Sequence, residues 1–599
     1  MELKQRDGLA RICKFQEIET PTLMPVVNPN LIVIPPREMK EKFGVDAIIT
    51  NSYIIWKSRK LREKALKEGL HRMLDFPGLI MTDSGTFQQH VYGDVEVDYR
   101  EIVEFQRDIG ADIGTILDIF TEPFHTREEV KNAIEETLKR GKESLKLKGN
   151  MLLAGVIQGS VYPDLREYSA MKMSDAGFDY FPIGGVVPLM EEYRYSEVVR
   201  AIIHSKMHLD PSKPVHLFGA GHPMFFPLAV LLGVDFFDSA AYIKYARDDR
   251  LLFPDGTRHL KEIKYPPFFS PVFDRYSIEE IKEMEKKERE KIIAEHNLYM
   301  SMEEIKRIKE AIHEGRMWEY AEIRAREHPR LLEAYRTILE YSKWLEKFEN
   351  ISKKSAFFYT GEESLRRPAV YRLTKKLIKI RYPRPIVELP RPWTKDMERI
   401  PYANVRTPFG LVPIELEDIY PVAQSEFPFA EKTSIPENIE YMDREEYDLR
   451  KIKAIADYQF GRDAGKILFG GEVKIVKSKN TGKIRNVFVN GEHVASLRAE
   501  DGFFTLRLAG ARRLHENTRF PRLRVVVSAE SAEFNAMGKN VFAKFVVDAD
   551  DSLRPGDEVL IVDEQDNLLA VGKTLMNRFE MLHFHKGMCV KVREGVKKS

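Results

Sequence analysis

Short apolar runs, each closed by a polar residue or a glycine, recur along the first 265 positions of the chain. Gly78-Leu79-Ile80-Met81 leads directly into Thr82-Asp83-Ser84-Gly85. DAIIT ends at Asn51, IGTIL at Asp118, AGVI at Gln158, YFPI at Gly184-Gly185, VHLF at Gly219-Ala220-Gly221-His222, and VDFF at Asp238. Brief apolar runs bounded by turn residues read as buried strands. Between most of them lie stretches with apolar spacing near 3.6, at 58–68, 100–109, 127–146, 165–176 and 224–232, which predict helices. Strand, polar tip and helix in repetition predict an α/β fold, a TIM-like (β/α)8 barrel whose C-terminal strand tips converge on one face and build the active site.

The pattern then changes. Residues 276–348 are charged and helical, and read as an appendage on the barrel exterior with solvated faces. Between 349 and 442 Pro, Arg and Tyr become dense and no long periodic helix survives, which predicts a small accessory α+β domain. Residues 443–520 read as a second accessory α+β domain, with a helix followed by alternating strands and a hairpin turn at Asn490-Gly491. Residues 521–599 are strand and turn almost throughout, which predicts a small, partly open β-barrel, and with Gly538-Lys539, Arg554-Pro555-Gly556-Asp557 and Ala570-Val571-Gly572 the segment resembles the PUA domain, an RNA-binding module. The division expected is therefore 1–348, 349–442, 443–520 and 521–599.

No apolar run approaches the ~20 residues that span a bilayer, and the first residues contain no apolar signal core. Cys13 and Cys589 are the only cysteines, which excludes a disulfide framework and a multi-cysteine metal site and points to the cytoplasm, with no membrane partner. Lys and Arg total 94 against 93 for Asp and Glu, so any RNA contact must come from local patches, and Arg512, Arg513, Arg522 and Arg524 are the candidates. No phosphate-binding GxxxxGK[ST] loop is present.

Asp83 and Asp238 are the carboxylates at strand tips that are followed at once by a serine. Two aspartates across a barrel mouth suit displacement at a sugar carbon, one attacking the anomeric centre and the other handling the leaving group's proton; each could instead cap the following helix. Asp118 and Gln158 add a carboxylate and an amide on the same face, a pair that fits the edge of a guanine-like base or a structural network closing the barrel top. Gly184 to Val187 would let backbone approach a flat ligand, Phe87 and Tyr92 could stack on it, and His222 is a candidate base.

The words TDSGTFQ, YGDVEV, LDI, QGS, IGGVVPL, VHLFGAGHP and FDSAAY, in this order and spacing, resemble the archaeal tRNA-guanine transglycosylases, and the likeness runs on to the PUA-like segment. The resemblance implies a (β/α) barrel with three accessory domains, tRNA as partner, and a homodimer. It implies that guanine at position 15 in the D-arm is exchanged for 7-cyano-7-deazaguanine on the way to archaeosine. By motif, Asp238 matches the nucleophile that bonds covalently to the ribose and Asp83 the general acid/base, with the reverse assignment left open. Asp118, Gln158, Gly185, Val186 and Val187 match the base-recognition motifs, and Ser84 and Phe87 would line the same pocket. Two other readings stay open: a paralogue resembling archaeosine synthase, acting on tRNA already modified, and a non-catalytic tRNA-binding subunit.

One departure stands out. The family's zinc site, three cysteines and a histidine, meets Phe268, Ser270 and Phe273 here, and only His296 remains. A single imidazole and a serine do not make a zinc site, so neither metal nor other cofactor is expected.

Overall fold

The computed structural model describes residues 1–86, 97–378, 387–389, 397–401, 403–423, 425–426 and 441–597. They fall into two compact units, Met1–Ile338 and Leu339–Ser599.

The first unit opens with an antiparallel sheet of β1 (Glu2–Asp7), β2 (Ala10–Phe15) and β3 (Ile18–Thr20). Eight parallel strands follow: β4 (Thr22–Val27), β5 (Ala47–Asn51), β6 (Leu79–Asp83), β7 (Ile113–Thr115), β8 (Leu152–Ala154), β9 (Phe181–Ile183), β10 (Val215–Leu217) and β11 (Phe236–Ser239). Their order is β8-β7-β6-β5-β4-β11-β10-β9. Parallel bridges at Ala154–Tyr180 and Ile157–Ile183 join the two ends, giving the TIM-like barrel expected. Thr22–Val27 escaped the reading of the sequence.

Inside the barrel Met24, Ala47, Ile49, Leu79, Met81, Ile113, Ala154, Tyr180 and Phe236 form one core, to which the N-terminal sheet adds Phe15 and Ile18. This core decides which tip residues face inward, because side chains two apart on a strand share a face. Ala47 and Ile49 point in, and so does Asn51; Leu79 and Met81 point in, and so does Asp83, directly opposite Asn51 in the register. Phe236 carries Asp238 inward in the same way.

The helices lie close to their expected positions: Arg59–Glu68, Tyr99–Asp108, Arg127–Ser144, Pro163–Ala176 and Phe226–Leu231. Residues 276–348 are helical, and the long helix among them is less solvated than its charge predicts. Helix Lys286–Glu314 buries Ile292, Ile293, Leu298, Ile305 and Ile308 and packs against β4 and helix Ala241–Arg247. Asn297 accepts from Leu252 N and donates to the carbonyls of Tyr242 and Arg250, so this helix is built into the barrel wall. None of the described helices is long and apolar enough to cross a membrane.

In the second unit a four-stranded antiparallel sheet spans Val473–Lys477, Ile484–Val489, Glu492–Leu497 and Phe504–Leu506. Asn490 and Gly491 both have positive φ, the conformation a two-residue hairpin turn requires. A six-stranded mixed sheet formed from Arg524–Val527, Val541–Phe542, Val546–Ala549, Glu558–Val562, Leu568–Thr574 and Met588–Gly595 makes the C-terminal PUA fold.

Candidate active site

Asp83 ends β6 at the barrel mouth. Asn51, opposite it on β5, donates from Nδ2 to Asp83 Oδ2 at 2.8 Å and uses its own Oδ1 to cap the helix Ser52–Lys57. The Gly85 N–H also bonds the carboxylate. These donors are outweighed by loss of solvent and by the negative charges of Asp118 and Asp238, and the carboxyl rises from its ordinary 3.8 to about 7.

Asp238 ends β11 in a different setting. Its Oδ1 accepts from His216 Nε2 at 2.9 Å and from the Gly219 N–H at 2.8 Å. Ser239 accepts from Ala241 N and donates to Gly221 O, and a Cβ at Gly221 would collide with the Ser239 hydroxyl. Ser239, and not Asp238, thus takes the first N–H of the helix Ala241–Arg247, and Asp238 is left facing the mouth. The two aspartates meet one another electrostatically with separate hydrogen-bond partners.

Asp118 and Gln158 are both buried and joined, Gln158 Nε2 donating to Asp118 Oδ2 at 2.6 Å while Gln158 Oε1 accepts from Thr121 Oγ1 at 2.8 Å. Burial raises the Asp118 carboxyl, opposed by its bond to Gln158. Gly184 and Gly185 close over this amide. A Cβ on Gly184 would lie 2.7 Å from Gln158 Nε2, and one on Gly185, at φ +68°, 2.9 Å from Thr121 O. Glycine is therefore required here by Gln158, a protein amide, as the neighbour. Val186 is buried, and half-buried Val187 packs on Gly219, the donor to Asp238. The loop of Gly184 to Val187 and the Asp238 tip are in contact through that pair.

Several expected residues fall elsewhere. Ser84 is fully buried and donates to Ile116 O at 2.9 Å, so its hydroxyl ties β6 to the β7 segment and does not line a pocket. Phe87 and Tyr92 lie outside the described residues. His222 caps the turn Pro223–Phe225 through Nδ1, and burial holds its imidazole down at about 4, neutral and committed to structure. Arg512 and Arg522 are exposed and half-buried Arg513 donates to Gly470 O. Arg524 is 1% exposed, its guanidinium bonded to Asp566, Thr518 and the carbonyls of Arg522 and His515; it braces the fold from within and offers no RNA surface.

Three residues of the site went unread in the sequence, Thr121, His216 and Arg166, and Asn51 was read as a strand tip without a role. Arg166 is buried and donates to the carbonyls of Ser160, Ile157 and Gly184, fastening the Gln158 loop to the Gly184 loop from below. Burial without a carboxylate partner lowers its guanidinium to about 9.

The residues at the family's zinc position do not fit a metal. His296 is fully buried and its Nε2 meets Leu252 O at 2.9 Å. Its ring lies 5.0 Å from Phe253 and 5.1 Å from Phe273, with Phe268 stacked on Phe253. Ser270 caps helix Pro271–Arg275. The imidazole, held at about 4 by burial, sits in a box of phenyl rings where thiolates would be needed. Among the described residues no three His, Cys, Asp or Glu side chains cluster as a metal site.

A family model described as queuine tRNA-ribosyltransferase matches residues 4–330, a patch-forming C2 domain of tRNA-guanine transglycosylase matches 450–521, and a PUA domain matches 523–596. The chain is 47% identical over 601 residues to a tRNA-guanine(15) transglycosylase of Thermococcus kodakarensis, covering 100% of this chain and 99% of the relative. It is 49% identical over 599 residues to one of Pyrococcus furiosus, at 99% and 98% coverage. A third, from Methanocaldococcus jannaschii, is 44% identical over 650 residues, at 100% and 99%.

Proposed function

The chain belongs to the queuine tRNA-ribosyltransferase family of glycosyltransferases, and on that premise we propose that it is a cytoplasmic tRNA-guanine(15) transglycosylase. It exchanges guanine at position 15 of archaeal tRNA for 7-cyano-7-deazaguanine. The observation that carries this reading is the contrast between two aspartates on β6 and β11, at strand tips with two strands between them on the same barrel mouth. Asp238, with two donors on Oδ1, suits the nucleophile, while Asp83, poised near neutrality, suits a group that must give up a proton and take one back.

The reaction runs as two displacements. Asp238 Oδ2 bonds to the ribose C1′ as the bond from C1′ to guanine N9 breaks, and N9 takes the proton of Asp83. The incoming base loses its N9 proton to Asp83 as N9 attacks C1′ and expels Asp238. Two inversions restore the β-configuration, and no ATP enters because one glycosidic bond replaces another. Asp118 accepts from the ring N–H and amino group of the base. Gln158, its amide oriented by Thr121 and Asp118, presents its remaining N–H beside it.

Protein incubated with tRNA carrying labelled guanine at position 15 and with 7-cyano-7-deazaguanine is expected to release the label and incorporate the deazaguanine. Label retained in the tRNA while the tRNA binds would sink this reading in favour of a binding subunit or a paralogue acting on modified tRNA.

No zinc belongs to this reading, since His296 and its phenyl neighbours supply no thiolate. Metal analysis of the purified protein is expected to find zinc far below one equivalent, with a melting temperature unmoved by EDTA; a stoichiometric zinc would reject it.

A further inference from the structure

The hydrogen bonding behind Asp238 continues into the barrel core. Phe218, immediately past the end of β10, packs against the interior cluster, and His216, two residues earlier on the strand, shares its inward face. His216 is fully buried. Its Nε2 meets Asp238 Oδ1 at 2.9 Å and its Nδ1 meets the Tyr180 hydroxyl at 3.0 Å. Tyr180 is itself part of the core, ringed by Phe15 and Phe236. A polar column thus rises from the greasy centre of the barrel to the attacking carboxylate.

We infer that His216, fixed in one tautomer by Tyr180, is a positioning residue that immobilises Asp238 Oδ1 and leaves Oδ2 as the oxygen that attacks the ribose. The inference rests on the reading of Asp238 as nucleophile and goes beyond it. The tautomer follows from the partners: a carboxylate oxygen accepts, so Nε2 must carry a proton, and in the neutral ring Nδ1 must then accept from the Tyr180 O–H. Burial and the negative charges of Asp235 and Asp238 push the Tyr180 phenol well above its ordinary range, which keeps that O–H a donor. Asp235 is itself engaged by the Arg11 guanidinium, and the other groups around His216 are the rings of Phe218 and Phe236. With Oδ1 held by His216 and by the Gly219 N–H, rotation about the carboxylate's bond is blocked. The same donors receive the negative charge when the second displacement returns it to Asp238. A bond of this charge-assisted type differs from packing in that its loss falls on turnover and not on tRNA binding.

The test measures kcat, KM for tRNA and melting temperature for His216→Leu, His216→Gln and Tyr180→Phe. Glutamine places an N–H near the Nε2 position, whereas leucine fills the site without a donor. His216→Leu is expected to lower kcat about 10- to 100-fold with KM for tRNA unchanged. His216→Gln should recover most of the loss, and Tyr180→Phe should fall between wild type and His216→Leu. Equal kcat for folded Leu and Gln variants, or a loss that appears wholly in KM, overturns the inference. Where the leucine variant does not fold, a Tyr180→Phe protein with wild-type kcat overturns it, and one with lowered kcat and unchanged KM supports it. Asp238→Asn in parallel separates the layers. Wild-type release by that variant removes the nucleophile and the inference with it, whereas loss there alongside full kcat in His216→Leu removes only the positioning role.

Discussion

Asp238→Asn is expected to stop guanine release, lowering single-turnover rates by about 10⁴-fold or more, while tRNA binding and the melting temperature stay close to wild type. Asparagine is nearly the same size and its carbonyl oxygen can still accept from His216 and the Gly219 N–H, so the strand tip has no reason to rearrange. What disappears is the anionic oxygen that forms the bond to C1′, and no neighbour replaces it. Asp83 lies on another strand with its own partners, Asn51 and Gly85. Release of labelled guanine, with binding followed by gel shift, reads both quantities. Wild-type release would assign the nucleophile elsewhere.

The second large effect concerns Asp83 and pH. Its carboxyl, raised to about 7 by desolvation first and by the charge of Asp118 next, is protonated below that value and ionised above it. As the acid of the first displacement it must start protonated, so kcat/KM for tRNA is expected to be full below about pH 7 and to fall as pH rises through it. Asp83→Asn should cost about 10²- to 10⁴-fold and remove that limb. Stability runs in the opposite sense from a paired carboxylate. A raised value means the fold resists ionisation, so a penalty accumulates between about 3.8 and about 7 and stays constant above. The Asp83→Asn variant should therefore melt above wild type at pH 8, with the gap closing toward pH 4. A limb that persists in the variant, or a gap of reversed sign, would rule out this assignment.

The barrel was legible because a strand buried on both faces gives a continuous apolar run and its chemistry sits at the end of it. Asn51, Asp83 and Asp238 each close such a run on the residue that faces inward. Thr22–Val27 was missed because Pro25 interrupts its apolar run. His216 was missed for a related reason. One histidine inside VHLF reads as packing, and only the inward face it shares with Phe218 shows that it reaches Asp238.

Errors arose where charge was taken as exposure. Arg524 stands near Arg519 and Arg522 in the text, yet all four residues of its strand are buried, and the guanidinium finds its acceptors inside. Residues 286–314 look solvated because Lys and Glu dominate, but every residue from Ile292 to Leu298 is buried, so the middle of the helix is covered on all sides. The Gly184-Gly185 pair was understood in part: close approach was foreseen, but the group approaching is the Gln158 amide.

The phenyl box around His296 bears on how the protein survives in its surroundings. Both thiols, Cys13 and Cys589, are buried and pushed up to about 12, so neither is a ready target for oxidants. Hydrocarbon packing around His296 fits the zinc-free fold proposed above, which would need no ion delivered during maturation.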